Sequence, residues 1–352
     1  MRLLLVVFVL WWETILGTVY YVAKNGNDNT GDGSINAPWL TIQKAADNLQ
    51  PGDTVLVREG IYHEQITPTN VGTAESRITF KAFPGDEVIL DGSIELANWK
   101  LYQGNIYYVE FDWGDEYPMM IYDNDQAMIR AKYPNQQNPY NPWDTTFYLH
   151  QEDGGEGWFI DSELPDTIDY VGAELNIYAW SAIEDRNGKV ISFDSSEKRI
   201  TFAGTKNFSL QEPSSVRVKG YSFWNKLEFL DSPGEFFVDT ANIPHRIYVW
   251  PYNSQAPTNI RAARLTNAFD LTRDQRYYNG AADYITIDGF IIKNYNFNSM
   301  RSRGVIFLGE FDIPKTGIII KNNQIYNNIG SAVHLRTANN IIIENTLPGK
   351  RL

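Results

Sequence analysis

The 352-residue sequence contains no cysteine. This excludes disulfide bonds, thiolate metal sites, a cysteine nucleophile and a lipoprotein cysteine anchor. Export remains open, since a chain can be exported without cysteines. Basic charge is also scarce. Against 43 Asp and Glu stand 30 Lys and Arg, a formal net charge of −13, with no long basic run. A nucleic-acid-binding face needs clustered Lys and Arg, so no nucleic-acid partner is expected. Long apolar runs are missing too. The longest, Leu3–Trp12, is interrupted at Glu13 and falls short of the ~20 residues that span a bilayer.

That run has another use. Arg2, the apolar stretch and the small residues Gly17 and Thr18 have the layout of a signal peptide, although Ile15 is a poor residue near the cut. Residues 1–17 are therefore expected to direct export. The mature chain would then be secreted or periplasmic with no membrane attachment. An uncleaved anchor is the alternative.

What the sequence does contain is repetition. Ile318-Ile319-Ile320 recurs as Ile341-Ile342-Ile343, and each triplet is followed by a charged residue and an asparagine: Lys321-Asn322, then Glu344-Asn345. Ile285–Ile292 aligns with Ile318–Ile325 at a longer offset. Near the front, Val55 and Val57 align with Ile78 and Phe80. Self-similarity at a period of about 20–30 residues marks a solenoid. The repeated strands are short, β-branched and bounded by Asn and Gly, so each repeat reads as a rung of strands and turns. A rung cannot bury its apolar side alone and must stack on the next. A leucine-rich repeat would require a Leu-x-x-Leu-x-Leu pattern, which is absent. The expected fold is all-β: a parallel β-helix broken by a large insert.

Four segments follow from this reading: a signal peptide at 1–17, a cap and first rungs at 18–93, an inserted all-β domain at 94–269, and further rungs at 270–352. In the cap, Thr41 is placed to start a helix whose Ile42, Ala45, Ala46 and Leu49 share one face. Such a helix would cover the open N-terminal end of the solenoid. The insert breaks the period, carries many strand-like runs and is too long for a loop. It is expected to be a β-sandwich. Seven of the ten tryptophans (Trp99, Trp113, Trp143, Trp158, Trp180, Trp224 and Trp250) fall within it. They serve either a sandwich core or the stacking of sugar rings.

The motifs themselves resemble a known group. Tyr20–Gly26, Gly31-Asp32-Gly33-Ser34, Ala37-Pro38-Trp39, Thr41–Ala46, Pro51–Val55 and Gly60-Ile61-Tyr62 resemble the N-terminal signature of bacterial pectate-lyase-like right-handed β-helix proteins. Three segments of and after the insert, Ala127–Pro134, Leu230–Phe237 with Ile247–Pro251, and Tyr284–Phe290, resemble glycoside-hydrolase-type members. The β-xylosidases of glycoside hydrolase family 120 are an example. The resemblance runs from about Tyr20 to Asn345, mostly through scaffold motifs, and it implies the right-handed fold. It also implies a carbohydrate-active protein: a glycoside hydrolase acting on plant or microbial polysaccharide or oligosaccharide. A lyase acting on uronate polymers and a non-catalytic glycan-binding protein are the alternatives. A monomer is expected.

Candidate site residues come from the rungs after the insert. Aligning Gly304–Glu310 with Ser331–Thr337 stacks Ile306 and Leu308 on Val333 and Leu335, which point inward. Phe307, His334 and Arg336 then point outward by strand alternation. These three are candidate sugar contacts. Glu310 and Asp312, in the loop that lengthens their rung, are the candidate catalytic carboxylates. Glycoside hydrolysis needs two carboxylates about 5–5.5 Å apart for retention or about 6.5–9.5 Å for inversion. Rungs stacked about 4.8 Å apart could meet either requirement. In the lyase alternative Arg336 is the base. Asp231 and Glu235 invite a carboxylate-pair reading, but Asp-Ser-Pro-Gly reads first as a turn. No cofactor is required. Calcium is left open through Asp28 and Asp32, which otherwise serve turn formation and capping. After Asn345 the period predicts a further return strand, but the chain reads Thr346–Leu352. A product truncated at its C-terminus, with part of the site missing, is the expectation.

Overall fold

The computed structural model describes residues 17–114, 117–135, 152–179, 184–204, 220–241, 243–271, 283–295, 304–308, 315–328, 331–335 and 338–348. Two compact units form. One is built from the residues up to Gly92 and from Leu265 onward; the other is Ser93–Arg264.

The first unit is a parallel β-helix. Its longest sheet stacks six parallel strands in the order Val19–Val22, Thr54–Val57, Ile78–Ala82, Ile285–Asp288, Ile319–Lys321 and Ile342–Glu344. A second sheet stacks Gly60–Tyr62, Val88–Asp91, Ile291–Lys293, Gln324–Tyr326 and Leu347–Pro348. A third stacks Phe269–Asp270, Gly304–Phe307 and Ser331–His334, and Ile66 bridges to Phe269. Ile78–Ala82 pairs directly with Ile285–Asp288, so the solenoid continues across the insert as if it were absent. Leu265 N donates to Gly92 O at 2.8 Å, closing the two ends of the interruption.

Alternate residues of these strands fill one core, which includes Val55, Phe80, Leu90, Ile287, Ile292, Ile306 and Ile320. The 23-residue spacing of the two isoleucine triplets holds for Ile319 on Ile342, but the same spacing, which aligns Val55 with Ile78, fails at the front. There Val55 pairs with Phe80 and Val57 with Ala82, an offset of 25. The alignment on Ile78 slips by two residues. An even slip keeps every side chain on its face, so apolar pattern alone cannot detect it.

Turn asparagines join one rung to the next. Asn294, Asn322, Asn327, Asn340 and Asn345 all adopt positive φ, a conformation asparagine tolerates better than most residues. Asn323, buried, accepts from Phe290 N at 2.9 Å and donates to Ile287 O at 3.1 Å. Asn328 accepts from Tyr295 N at 2.8 Å and donates to Ile292 O at 3.2 Å. On the first sheet Lys81, Asp288, Lys321 and Glu344 stand in register with alternating charge. Asp288 lies 3.2 Å from the Lys81 ammonium.

The capping helix is Ile42–Asn48. Thr41 accepts from Lys44 N, and Ile42, Ala45, Ala46 and Leu49 enter the solenoid core. Asp28 accepts from Leu40 N, Thr41 N and the Thr41 hydroxyl, while Asp32 accepts from Ser34 N. Both aspartates therefore cap backbone. Glu64 adds a second carboxylate to the start of the helix, accepting from Ile42 N and Gln43 N. Burial holds its carboxyl above the usual range.

The second unit is a sandwich with a third layer. A seven-stranded sheet and a five-stranded sheet enclose one core containing Phe159, Leu175, Phe202, Phe223, Phe237 and Tyr248. The five-stranded sheet turns its other face, through Val109, Phe236, Val238, Ile247 and Val249, onto a four-stranded sheet carrying Ile121, Ile260 and Ala262. Along Glu235–Asp239 and His245–Trp250, successive side chains thus serve different cores. That explains why these strands read as continuous apolar runs rather than alternating ones.

Replacing Asn323 with alanine strands the Phe290 N–H and the Ile287 carbonyl in the interior. Each unmade buried bond costs about 1–3 kcal/mol. Urea unfolding of Asn323→Ala is expected to show a loss of about 2–4 kcal/mol. A loss under about 0.5 kcal/mol, the range of surface substitutions, contradicts this role.

Candidate functional site

On the third sheet Asp270, Phe307 and His334 stand in register on successive strands. Val305, Ile306 and Leu308 enter the core, while Phe307 is buried outside that cluster, against the His334 ring. In register, Phe307 lies between Asp270 on one side and His334 on the other. The Phe307 and His334 rings are 5.5 Å apart and tilted by 36°. A carboxylate, an aromatic ring and an imidazole thus occupy successive rungs, about 4.8 Å apart each. Gly304 makes the approach possible, because a Cβ there would lie 2.5 Å from the His334 Cβ.

Two expectations are corrected. Phe307 is only 6% exposed. A ring wedged between two stacked rungs is covered by both, so it offers little surface. Leu335, expected inward beneath Leu308, is 42% exposed. Its strand ends at His334, and no described residue stacks over it. Glu310, Asp312 and Arg336 lie outside the described residues. Among the described residues, no group of three or more His, Asp or Glu is placed to hold a metal ion.

Asp270 is not among the candidates that the sequence offers, because an insert ending at 269 leaves the strand that follows unaligned with the rungs. The available signal was Ala268-Phe269-Asp270-Leu271, which matches Val305-Ile306-Phe307-Leu308 in apolar pattern and in register.

Asp231 and Glu235 form a turn latch. One Glu235 carboxylate oxygen accepts from Asp231 N and Ser232 N, both at 3.1 Å. The other finds no hydrogen-bond partner among the described residues, and the side chain is 1% exposed. Burial, with the Asp231 charge nearby, pushes the carboxyl up to about 8. A group this enclosed cannot reach a substrate in this conformation.

With this geometry in hand, the comparisons place the chain. Residues 20–126 match the family described as "Pel9A-like, right handed beta helix region". Pectate lyase PEL9 of Emericella nidulans is 35% identical over 88 residues, covering 24% of this chain and 21% of that protein. The uncharacterized protein YwoF of Bacillus subtilis is 34% identical over 76 residues, covering 22% of this chain and 16% of that one. Lacto-N-biosidase of Bifidobacterium longum is 32% identical over 105 residues, covering 26% of this chain and 7% of the enzyme. The chain therefore spans no more than about a fifth of any of these relatives. Two solved structures share the architecture. One, described as a glycoside hydrolase, has a TM-score of 0.64 at 13% identity, covering 89% of this chain and 62% of its own. The other, XylC in complex with xylose, has a TM-score of 0.51 at 18% identity, covering 88% and 40%. Fold and matches together show a right-handed parallel β-helix with an inserted β domain, similar to the Pel9A-like region over residues 20–126 and sharing its architecture with the two solved structures.

The latch carries a pH signature. Its folded-state carboxyl titrates near 8 against an ordinary value of 4.5. Protonation therefore favours the fold. This contribution is fully present below about 4.5 and is lost as pH rises through about 8, at up to about 1.4 kcal/mol per pH unit. Glu235→Gln keeps an acceptor for both backbone donors and removes the titration. Its stability relative to wild type, from urea unfolding, is expected to rise between pH 5 and 8. A constant difference across that window contradicts the latch.

Proposed function

We propose that this chain is an exported glycoside hydrolase whose glycan lies along the third sheet, contacting Asp270 and His334 on either side of the buried Phe307. The observation that carries the reading is the register of Asp270, Phe307 and His334 on successive rungs, outside the solenoid core cluster. Stacked parallel strands present side chains at the repeat of an extended glycan groove. The likeness in fold to a structure described as a glycoside hydrolase and to XylC, solved with xylose, supports the same reading.

The roles follow from chemistry. Hydrolysis requires a proton donor and a second carboxylate as nucleophile or base. Asp270 is one carboxylate at the file. Glu310 and Asp312, which follow the Phe307 strand in the chain, are the candidates for the other. His334 supplies a hydrogen bond to a sugar hydroxyl, and Arg336 a second donor. Phe307, being buried, holds the His334 ring rather than offering a stacking platform. Residues 1–17 act as the export signal, and the ligand is a poly- or oligosaccharide.

The similarity to a pectate lyase over 88 residues favours a second reading, β-elimination on a uronate polymer with Arg336 as base. Calcium would neutralise the uronate there. The two readings separate in one assay. A hydrolase releases reducing sugar from aryl-glycosides or neutral oligosaccharides without ultraviolet absorbance; a lyase produces an absorbing unsaturated end.

For the hydrolase, Asp270→Asn is expected to lower kcat/KM by roughly 10²–10⁴-fold, the usual contribution of a positioned acid or base. His334→Ala is expected to lower it by about tenfold, one hydrogen bond's worth. Wild-type turnover in both variants would remove the third sheet from the mechanism.

A further inference from the structure

The inserted unit contains a cavity of 420 Å³ that the groove does not use. This falls within the roughly 300–1,000 Å³ typical of small-ligand sites. Its walls combine Tyr102 and Trp250 with the amides of Gln103 and Asn105, the carboxylate of Glu228 and the side chain of Ile106. Tyr102 is 48% exposed although it is a large aromatic residue on a strand. It is also held in place. Its ring meets Tyr248 edge to face at 5.2 Å, and Tyr248 in turn packs against Tyr108 and Phe237 at 5.6 and 6.0 Å. The Trp250 indole is fixed by donating to the Ser254 hydroxyl at 2.9 Å. The Gln103 and Asn105 amides, by contrast, make no hydrogen bond among the described residues and are exposed.

We infer that this cavity is a second saccharide-binding site, taking a neutral pyranose unit of a glycan. Two ordered aromatic rings offer apolar faces to sugar C–H groups. Two unspent amides and a carboxylate offer the donors and acceptors that hydroxyls need. The lining residues carry one carboxylate and no cation, and Lys226, 4.0 Å from Glu228, is already paired with Asp169 at 2.7 Å, so a uronate finds no unpaired cation there. Tyr102 pre-ordered by its neighbours loses little conformational freedom on binding, which favours an appreciable affinity from a small contact. The chemical class of the ligand rests on the carbohydrate reading above, but the site does not depend on the groove's catalysis.

The test is calorimetric titration of the full chain with xylohexaose, cellohexaose and oligogalacturonate, on wild type, Tyr102→Ala, Gln103→Ala and His334→Ala. Tyr102 and Gln103 are exposed, and thermal melting of each variant serves as the check that it is folded. Saturable binding of a neutral hexasaccharide is expected, weakened about tenfold or more in Tyr102→Ala, which corresponds to about 1.4 kcal/mol. A smaller loss is expected in Gln103→Ala, and none at this site in His334→Ala. Equal binding by Tyr102→Ala and wild type overturns the inference. So does a preference for oligogalacturonate that survives Tyr102→Ala. The groove reading fails separately, through unchanged turnover in Asp270→Asn and His334→Ala while Tyr102-dependent binding persists.

Discussion

Everything in the solenoid depends on satisfying backbone polar groups at the turns. Parallel ladders pair the strands, but each rung must also bend, and at a bend the ladder stops. Buried N–H and C=O groups left there would each cost about 1–3 kcal/mol. Asparagine side chains take over at these points, with Asn323 serving Phe290 N and Ile287 O and Asn328 serving Tyr295 N and Ile292 O. Because each amide reaches from one rung to the one before it, turn chemistry and stacking register become a single constraint. The alternating charges of Lys81, Asp288, Lys321 and Glu344 reinforce the register from the other side of the strand.

That constraint explains how a large insert is tolerated. Ile78–Ala82 and Ile285–Asp288 pair as neighbouring rungs although more than 200 residues of numbering separate them. The insert needs only two ends brought together, at Gly92 and Leu265. It then folds around its own cores, because its central sheet is apolar on both faces. The same register that carries the scaffold sets Asp270, Phe307 and His334 in line. Scaffold and candidate groove are consequences of one stacking pattern.

The scaffold was largely legible in the sequence, and the site much less so. The triplets Ile318–Ile320 and Ile341–Ile343 repeat at a fixed interval because each must fill the same place in the core, and the structure pairs them at that interval. The helix start at Thr41 was readable from its hydroxyl and the spacing of four apolar residues. The slip at Val55 was not readable, since a shift of two preserves facing. Asp270 was hidden because it follows the insert directly, where no second copy of the period flagged its strand. The burial of Phe307 and the enclosure of Glu235 depend on neighbours distant in sequence, which alternation rules do not reach.

The central claim is that a glycan occupies the third sheet at His334. The sequence contains only four histidines, so imidazole resonances report on it with little overlap. Titrating isotopically labelled protein with a neutral oligosaccharide, while following those resonances by NMR, tests the claim most directly. A saturable shift of the His334 ring signals, with His63 and His245 unmoved, is the predicted result. Saturating glycan that leaves His334 unperturbed would contradict the account.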